Sequence, residues 1–128
     1  MIVLDASAAL ELLLATSAGA RIEERLFAGR EAIHAPHLID VEVAHALRRL
    51  ALRGLDEAGC AAAYSDWWDV PVERTAHGIL MDRAWALRAN FTIYDGVYIA
   101  LAELLDAPLV THDAKLVSTA HRARVEVI

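Results

Sequence analysis

Four carboxylates stand where their side chains could act together. Asp5 directly follows the apolar run Ile2-Val3-Leu4, and Asp113 follows Leu109-Val110-Thr111 with only His112 between. Short apolar runs of this kind read as buried strands. Each acid is therefore expected at the C-terminal end of a strand, where the chain turns into a helix. In a parallel sheet those ends share one edge, the edge at which open α/β sheets place their sites. Asp95 opens a nearly all-apolar segment that runs to Leu105, after the turn Thr92-Ile93-Tyr94. Glu42 lies two turns into a helix predicted to start at Pro36. At the helical period Glu42, His45, Arg49 and Arg53 share one polar stripe about 80° wide, and Ile39, Val43, Leu47 and Leu50 take the core side.

Carboxylates brought together repel one another and raise their own pKa values unless a cation neutralises them. Oxygen-only ligands suit Mg²⁺ or Mn²⁺ rather than zinc. Such a cluster suits metal-assisted phosphodiester cleavage, in which the ion polarises the phosphate, lowers the pKa of a bound water and steadies the leaving oxygen. His34, His37, His77, His112 and His121 show no paired zinc spacing, and His45 alone shares a face with Glu42. A competing account treats Asp5, Asp95 and Asp113 as ordinary helix N-caps and Glu42 as part of a solvated helix face. The convergence of several acids on one edge favours the chemical account. Arg48, Arg49, Arg53 and Lys115 are placed to meet phosphates, and serve equally as a solvated surface. Trp67 and Trp68 could stack on bases; one in the core and one at an interface is the simpler expectation.

The chain has 128 residues, the size of one domain. Its hydrophobic fraction is 57%, much of it Ala and Leu, which favours helices and leaves apolar area for a partner or a second copy. The single cysteine, Cys60, cannot form an internal disulfide and fits a reducing, cytoplasmic setting as a small buried hydrophobe. No basic leader precedes the first apolar run, and no stretch reaches the roughly 18 uncharged apolar residues of a spanning helix. The formal net charge is −6 and the pI about 5.4. A polyanion partner is disfavoured by that balance, unless the acid is concentrated at a metal site, where the ion reverses the local sign.

The remaining pattern alternates strands and helices. Helices are predicted over about Ser7–Leu14, Ala18–Ala28, Pro36–Arg53 with a stop at Gly54, Asp56–Trp68, Ala76–Asn90, Asp95–Leu105 and Ala114–Ala120. Strands are predicted at Ile2–Leu4, Ala32–His34, Val70–Glu73, Leu109–Thr111 and Val125–Val127, with Pro71 placing its strand at an edge. The fold class that follows is α/β: one domain over residues 1–128, with a mostly parallel central sheet flanked by helices in three layers.

At these residues the sequence resembles the PIN-domain family, in its branch of VapC-type ribonuclease toxins from type II toxin–antitoxin systems. Ile2-Val3-Leu4-Asp5-Ala6-Ser7-Ala8 is similar to the family's first strand and first acid. The segment from Ala35 to Leu47 is similar to the second motif, with Glu42 as its acid. Tyr94 to Glu103 and Pro108 to Leu116 are similar to the toxin branch around the third and fourth acids, Asp95 and Asp113. His45 stands where relatives often carry Asn. The resemblance covers the whole chain in order. It implies an endoribonuclease using Mg²⁺ or Mn²⁺, with Asp5, Asp95 and Asp113 holding metal and Glu42 completing the pocket as a ligand or by orienting water. Ser7 and Thr111 would hydrogen-bond carboxylates or water, although local backbone bonds are the simpler use of each hydroxyl. It further implies a homodimer, a structured RNA substrate such as tRNA or rRNA, and silencing by a cognate VapB-like antitoxin, often through an inserted Arg.

Two other functions compete. A phosphoacceptor receiver domain also sets carboxylates at strand ends, but Asp5 lacks a paired acid and Thr111 and Lys115 share one segment instead of following separate strands. A catalytically silent PIN scaffold acting by binding is the second, and four intact acids argue against it.

Overall fold

The computed structural model describes residues 1–54 and 56–128. Five strands form one sheet in the order β3-β2-β1-β4-β5: β1 (Ile2–Leu4), β2 (Ile33–Pro36), β3 (Val72–Thr75), β4 (Leu109–Thr111) and β5 (Val125–Val127). Every pairing is parallel. The central strands are buried on both faces, which is why Ile2-Val3-Leu4 and Leu109-Val110-Thr111 carry no outward polar alternation. The helices are α1 (Ala6–Leu13), α2 (Ser17–Phe27), α3 (Leu38–Leu52), α4 (Glu57–Trp67), α5 (Met81–Ala86) and α6 (Ile93–Leu105). Helix α1 packs on α2 and α3, α3 on α4, and α5 on α6, giving the three-layer α/β arrangement. Helix α6 is the most deeply set, with Gly96 to Ala102 all buried. Among the described residues no helix is long and apolar enough to cross a membrane.

Several element limits differ from expectation, each for a local reason. Pro36 ends β2 rather than opening α3. It pairs with Thr75 of β3, beyond the positions where β1 pairs with β2, so its missing N–H costs no central bond. Strand β3 starts at Val72 instead of Val70, because the chain turns tightly at Pro71, with the Val72 amide donating to the Val70 carbonyl at 2.8 Å. It does lie at the sheet edge. The helix predicted over Ala76–Asn90 is a 3₁₀ turn, His77–Leu80, followed by the short α5. Ala76 offers no side-chain cap, and Gly78 weakens the first turn. The predicted Ala114–Ala120 helix is a single 3₁₀ turn, Ala114–Leu116. Gly54 closes α3 with φ of 89°, as its placement suggested.

An ion-pair hub ties α3 to β3 and α4. Asp40, in the first turn of α3, accepts from Trp67 Nε1 at 2.8 Å and from Arg74 Nε at 2.8 Å. The Arg74 guanidinium lies 5.6 Å from the Trp67 ring centroid and 5.4 Å from that of Trp68. Burial works to raise the Asp40 carboxyl, but the bonds from Arg74 and Trp67 outweigh it and hold the group below the usual range. Trp67 is fully buried and Trp68 is exposed. Arg74→Met is expected to cost ~1–3 kcal/mol at neutral pH, since Asp40 loses its charged partner. A depressed carboxylate contributes stability above its unfolded pKa and loses that contribution as pH falls through its folded one. The gap between variant and wild type in urea melts should therefore narrow in acid; a constant gap would assign the cost to packing alone.

Candidate active site

The four predicted acids come from four separate elements. Asp5 is the first residue past β1, and its amide donates to the Val110 carbonyl of β4 at 3.1 Å. Asp113 stands two residues past β4, the strand that pairs with β1. Both residues thus stand at the C-terminal ends of adjacent central strands. Glu42 comes from α3, which follows β2 on the other side of β1. Asp95 comes from the first turn of α6.

Two of these acids also cap helices. Asp5 accepts from the amides of Ser7 and Ala8 at the start of α1, and Asp113 accepts from the Lys115 amide at 2.9 Å. Asp95 does not cap. Helix α6 starts two residues earlier than its composition suggested, Thr92 is the cap, and its hydroxyl accepts from the Asp95 amide at 3.1 Å. Among the described residues the Asp95 carboxylate accepts no backbone hydrogen bond, and it feels the charges of Asp113 and Asp5.

Their mutual influence defines the cluster. Burial pushes the Glu42 carboxyl up, a hydrogen bond from Tyr98 opposes the rise, and the charges of Asp5 and Asp95 add to it. Burial likewise pushes Asp95 up, against the Thr92 bond, and Asp113 and Asp5 add repulsion while Lys115 relieves it. Glu42 thus feels Asp5 and Asp95, and Asp95 feels Asp113 and Asp5. Asp5 is 6% exposed and is held firmly: the Thr111 hydroxyl donates to its Oδ2 at 2.6 Å. Thr111 Oγ1 also accepts from the Asp113 amide at 2.9 Å, so one buried hydroxyl fixes both acids. Ser7 Oγ accepts from the His112 amide at 2.9 Å and lies 3.2 Å from the Thr111 hydroxyl.

Beside the cluster runs an open cleft of about 580 Å³ lined by Ser7, Glu42, His45, Arg49 and Tyr94 with apolar neighbours. Asp5, Asp95 and Asp113 do not line it. Arg48, Arg49 and Arg53 do not act as a group. Arg49 lines this cleft, Arg48 lines a separate groove with Tyr64 and Trp68, and Arg53 is exposed past the helix end. Among the described residues no group of three or more His, Cys, Asp or Glu side chains stands close enough together to hold a metal ion. The donor chemistry nevertheless fits a hard divalent cation: all four groups are carboxylates, and Glu42 and Asp95 are held above their ordinary range by burial and the charges of neighbouring acids.

Tyr98 and the Asp40 hub were not singled out in the sequence. Tyr98 had a signal, being a hydroxyl-bearing side chain within the buried run Gly96 to Ala102, three residues from Asp95. Asp40 had none, because its partners are distant in the chain.

The family model for the PIN domain matches residues 2–122. The chain belongs to the PIN-domain family. Within that family it is of the VapC type. This PIN domain is 44% identical to Ribonuclease VapC12 of Mycobacterium tuberculosis, with 100% of this chain and 99% of that protein covered. It is 43% identical to VapC ribonuclease Mb0985 of Mycobacterium bovis, with 93% and 91% covered. The fold matches the crystal structure of PAE2754 from Pyrobaculum aerophilum with a TM-score of 0.74 at 23% identity, covering 97% of this chain and 81% of that one. It also matches Mycobacterium tuberculosis VapC20, described as a sarcin-ricin loop cleaving toxin, with a TM-score of 0.67 at 16% identity, covering 91% and 92%.

Proposed function

We propose that this PIN domain is a Mg²⁺- or Mn²⁺-dependent endoribonuclease toxin that hydrolyses RNA phosphodiester bonds at the cluster of Asp5, Glu42, Asp95 and Asp113. What supports the reading is that Asp5 and Asp113 follow adjacent central strands and that Glu42 and Asp95 feel the charges of neighbouring acids, in a chain similar over its length to proteins named ribonucleases. A protein gains no stability from crowding ionised acids, so the arrangement calls for a cation. Asp5, Asp95 and Asp113 would hold it, with Thr111 fixing the first and last of these. A bound divalent ion supplies charge neutralisation at the phosphate and activation of water. Glu42 completes the pocket and orients the attacking water. Arg49 on the cleft and Lys115 beside Asp95 supply positive charge for the RNA backbone, which answers the net charge of −6.

The substrate class is a structured RNA, tRNA or rRNA, cut in the cytoplasm. The same electrostatics suit inhibition by a VapB-like antitoxin: a guanidinium placed among the four acids would relieve the repulsion that an ion otherwise relieves. Apolar residues left in water support a homodimer, with Ile79 70% and Trp85 61% exposed near α5.

The test is incubation of the purified protein with total RNA in Mg²⁺, in Mn²⁺ and in chelator, beside an Asp5→Asn, Asp95→Asn double variant. Asparagine at position 5 keeps the α1 cap, so the variant remains folded. Discrete fragments that need the ion and vanish in the variant are expected. Fragments that persist in chelator or in the folded variant would overturn the reading.

A further inference from the structure

Tyr98 is only 3% exposed and sits in α6 among Val97, Ile99, Ala100 and Leu101, all buried. Packing at such a position asks for an aliphatic or phenyl side chain, and a buried hydroxyl has to find a partner. Here the partner is Glu42: the Tyr98 hydroxyl donates to its Oε2 at 2.5 Å. Among the described residues this is the one side-chain hydrogen bond that Glu42 receives, whereas Asp5 is held by a hydroxyl and two amides and Asp113 by the short backbone turn that it caps. A glutamate has three rotatable side-chain bonds, and on the wall of an open cleft it would otherwise spend its time in several rotamers. Tyr98 follows Asp95 by three residues, so it shares that acid's face of α6. One helix therefore carries one acid of the cluster and a hydroxyl bound to another.

We propose that Tyr98 is a positioning residue, whose hydroxyl holds the Glu42 carboxylate beside Asp5 and Asp95 and so fixes where the attacking water is oriented. The inference rests on the nuclease reading above. It explains why an apolar helix carries a phenol where phenylalanine would fill the same space. It also makes Glu42 the one acid of the cluster whose placement depends on a bond between two helices instead of on its own turn.

The experiment is a double-mutant cycle. Cleavage of one RNA substrate is followed in Mg²⁺ for wild type, Tyr98→Phe, Glu42→Ala and the double variant. Tyr98→Phe is expected to lower kcat by roughly 10- to 100-fold with little change in KM. In the Glu42→Ala background the same replacement should change kcat by less than about twofold, because the residue through which Tyr98 acts is gone. A second readout is independent of turnover: the Tyr98 hydroxyl proton should be seen by NMR as a slowly exchanging resonance in wild type and lost in Glu42→Ala. Equal losses in both backgrounds, or no loss in either, would show that Tyr98 only fills the core and overturn the proposal alone. Full activity in Glu42→Ala would overturn it as well, while leaving the nuclease in place. A wild type that cleaves no RNA while its hydroxyl resonance is intact removes the nuclease reading, and the positioning role with it.

Discussion

Asp95→Asn is expected to lower RNA cleavage on the order of 10³-fold and, in the absence of divalent ions, to make the protein more stable than wild type. The loss follows from removing a charge that would face the metal and the developing charge of the transition state. The gain follows from the ground state. Asp95 at the first turn of α6 enjoys the positive end of the helix dipole, worth ~0.3–1 kcal/mol. Its carboxyl is nonetheless held above the ordinary range, through burial and the charges of Asp113 and Asp5, against the Thr92 bond. Burial and the neighbouring acids therefore outweigh the Thr92 bond and the Lys115 charge. A group with a raised folded pKa contributes its stability fully below the unfolded pKa and loses it as pH rises through the folded one. The wild type should thus trail the variant most at neutral pH, and the two should converge in acid. Mg²⁺ or Mn²⁺ should raise the wild-type melting temperature and leave the variant nearly unmoved. A variant that melts below wild type at neutral pH in chelator would mean that Asp95 is held by favourable contacts instead of frustrated by its neighbours.

How far such a site can be read from sequence depends on how local its causes are. Asp5 and Asp113 were legible because a buried strand and the acid after it lie within a few residues. Parallel order then brings their ends together without further information. Glu42 was placed by helical period alone, which also put His45 and Arg49 on the cleft it lines. Period alone carried Arg53 too far, since that residue lies beyond the helix end, and an arginine one position from Arg49 turns into a different groove. Asp95 was found but misassigned to the helix start, because Ile93-Tyr94 resembles a turn as much as a first helical turn. Thr92 settles the matter by capping. The Asp40–Arg74 pair, the Tyr98–Glu42 bond and the break of the Ala76–Asn90 segment into two short pieces depend on partners brought near by the fold. The Leu38 amide, for example, donates to His77 Nε2 at 2.9 Å, tying the start of α3 to the 3₁₀ turn. No window of sequence contains that contact.

A Gly19→Ala replacement sets local propensity against packing and shows which prevails. Gly19 lies inside α2, where alanine is the better helix former by about 1 kcal/mol. Sequence alone would rank the change as stabilising. The structure places a Cβ at this position 2.1 Å from the Glu11 carbonyl oxygen, 2.8 Å from the Glu11 carbonyl carbon and 3.2 Å from the Leu12 amide nitrogen. These are backbone atoms and cannot rotate away. They are also fixed by the corner itself: Ala15 turns with φ of 50°, the Thr16 amide donates to Glu11 at 3.3 Å, and the Thr16 hydroxyl accepts from the Gly19 amide at 3.0 Å. Helix α2 must therefore move off α1, opening contacts around buried Ile22 and Leu26. Overpacking that forces backbone to shift typically costs ~1–3 kcal/mol, so a net loss of up to about 2 kcal/mol remains after the propensity gain. Gly78→Ala is the matched control, because nothing lies within 4 Å of its Cβ position; it should be neutral or slightly stabilising. Chemical denaturation of the two variants decides the point, and a Gly19→Ala protein as stable as wild type would show that the α1–α2 corner yields. Glu11 is near the far end of α1 from Asp5, so below its melting temperature the folded variant should cleave RNA at close to the wild-type rate. Loss of that rate in folded protein would mean that the corner positions the site as well as the helices.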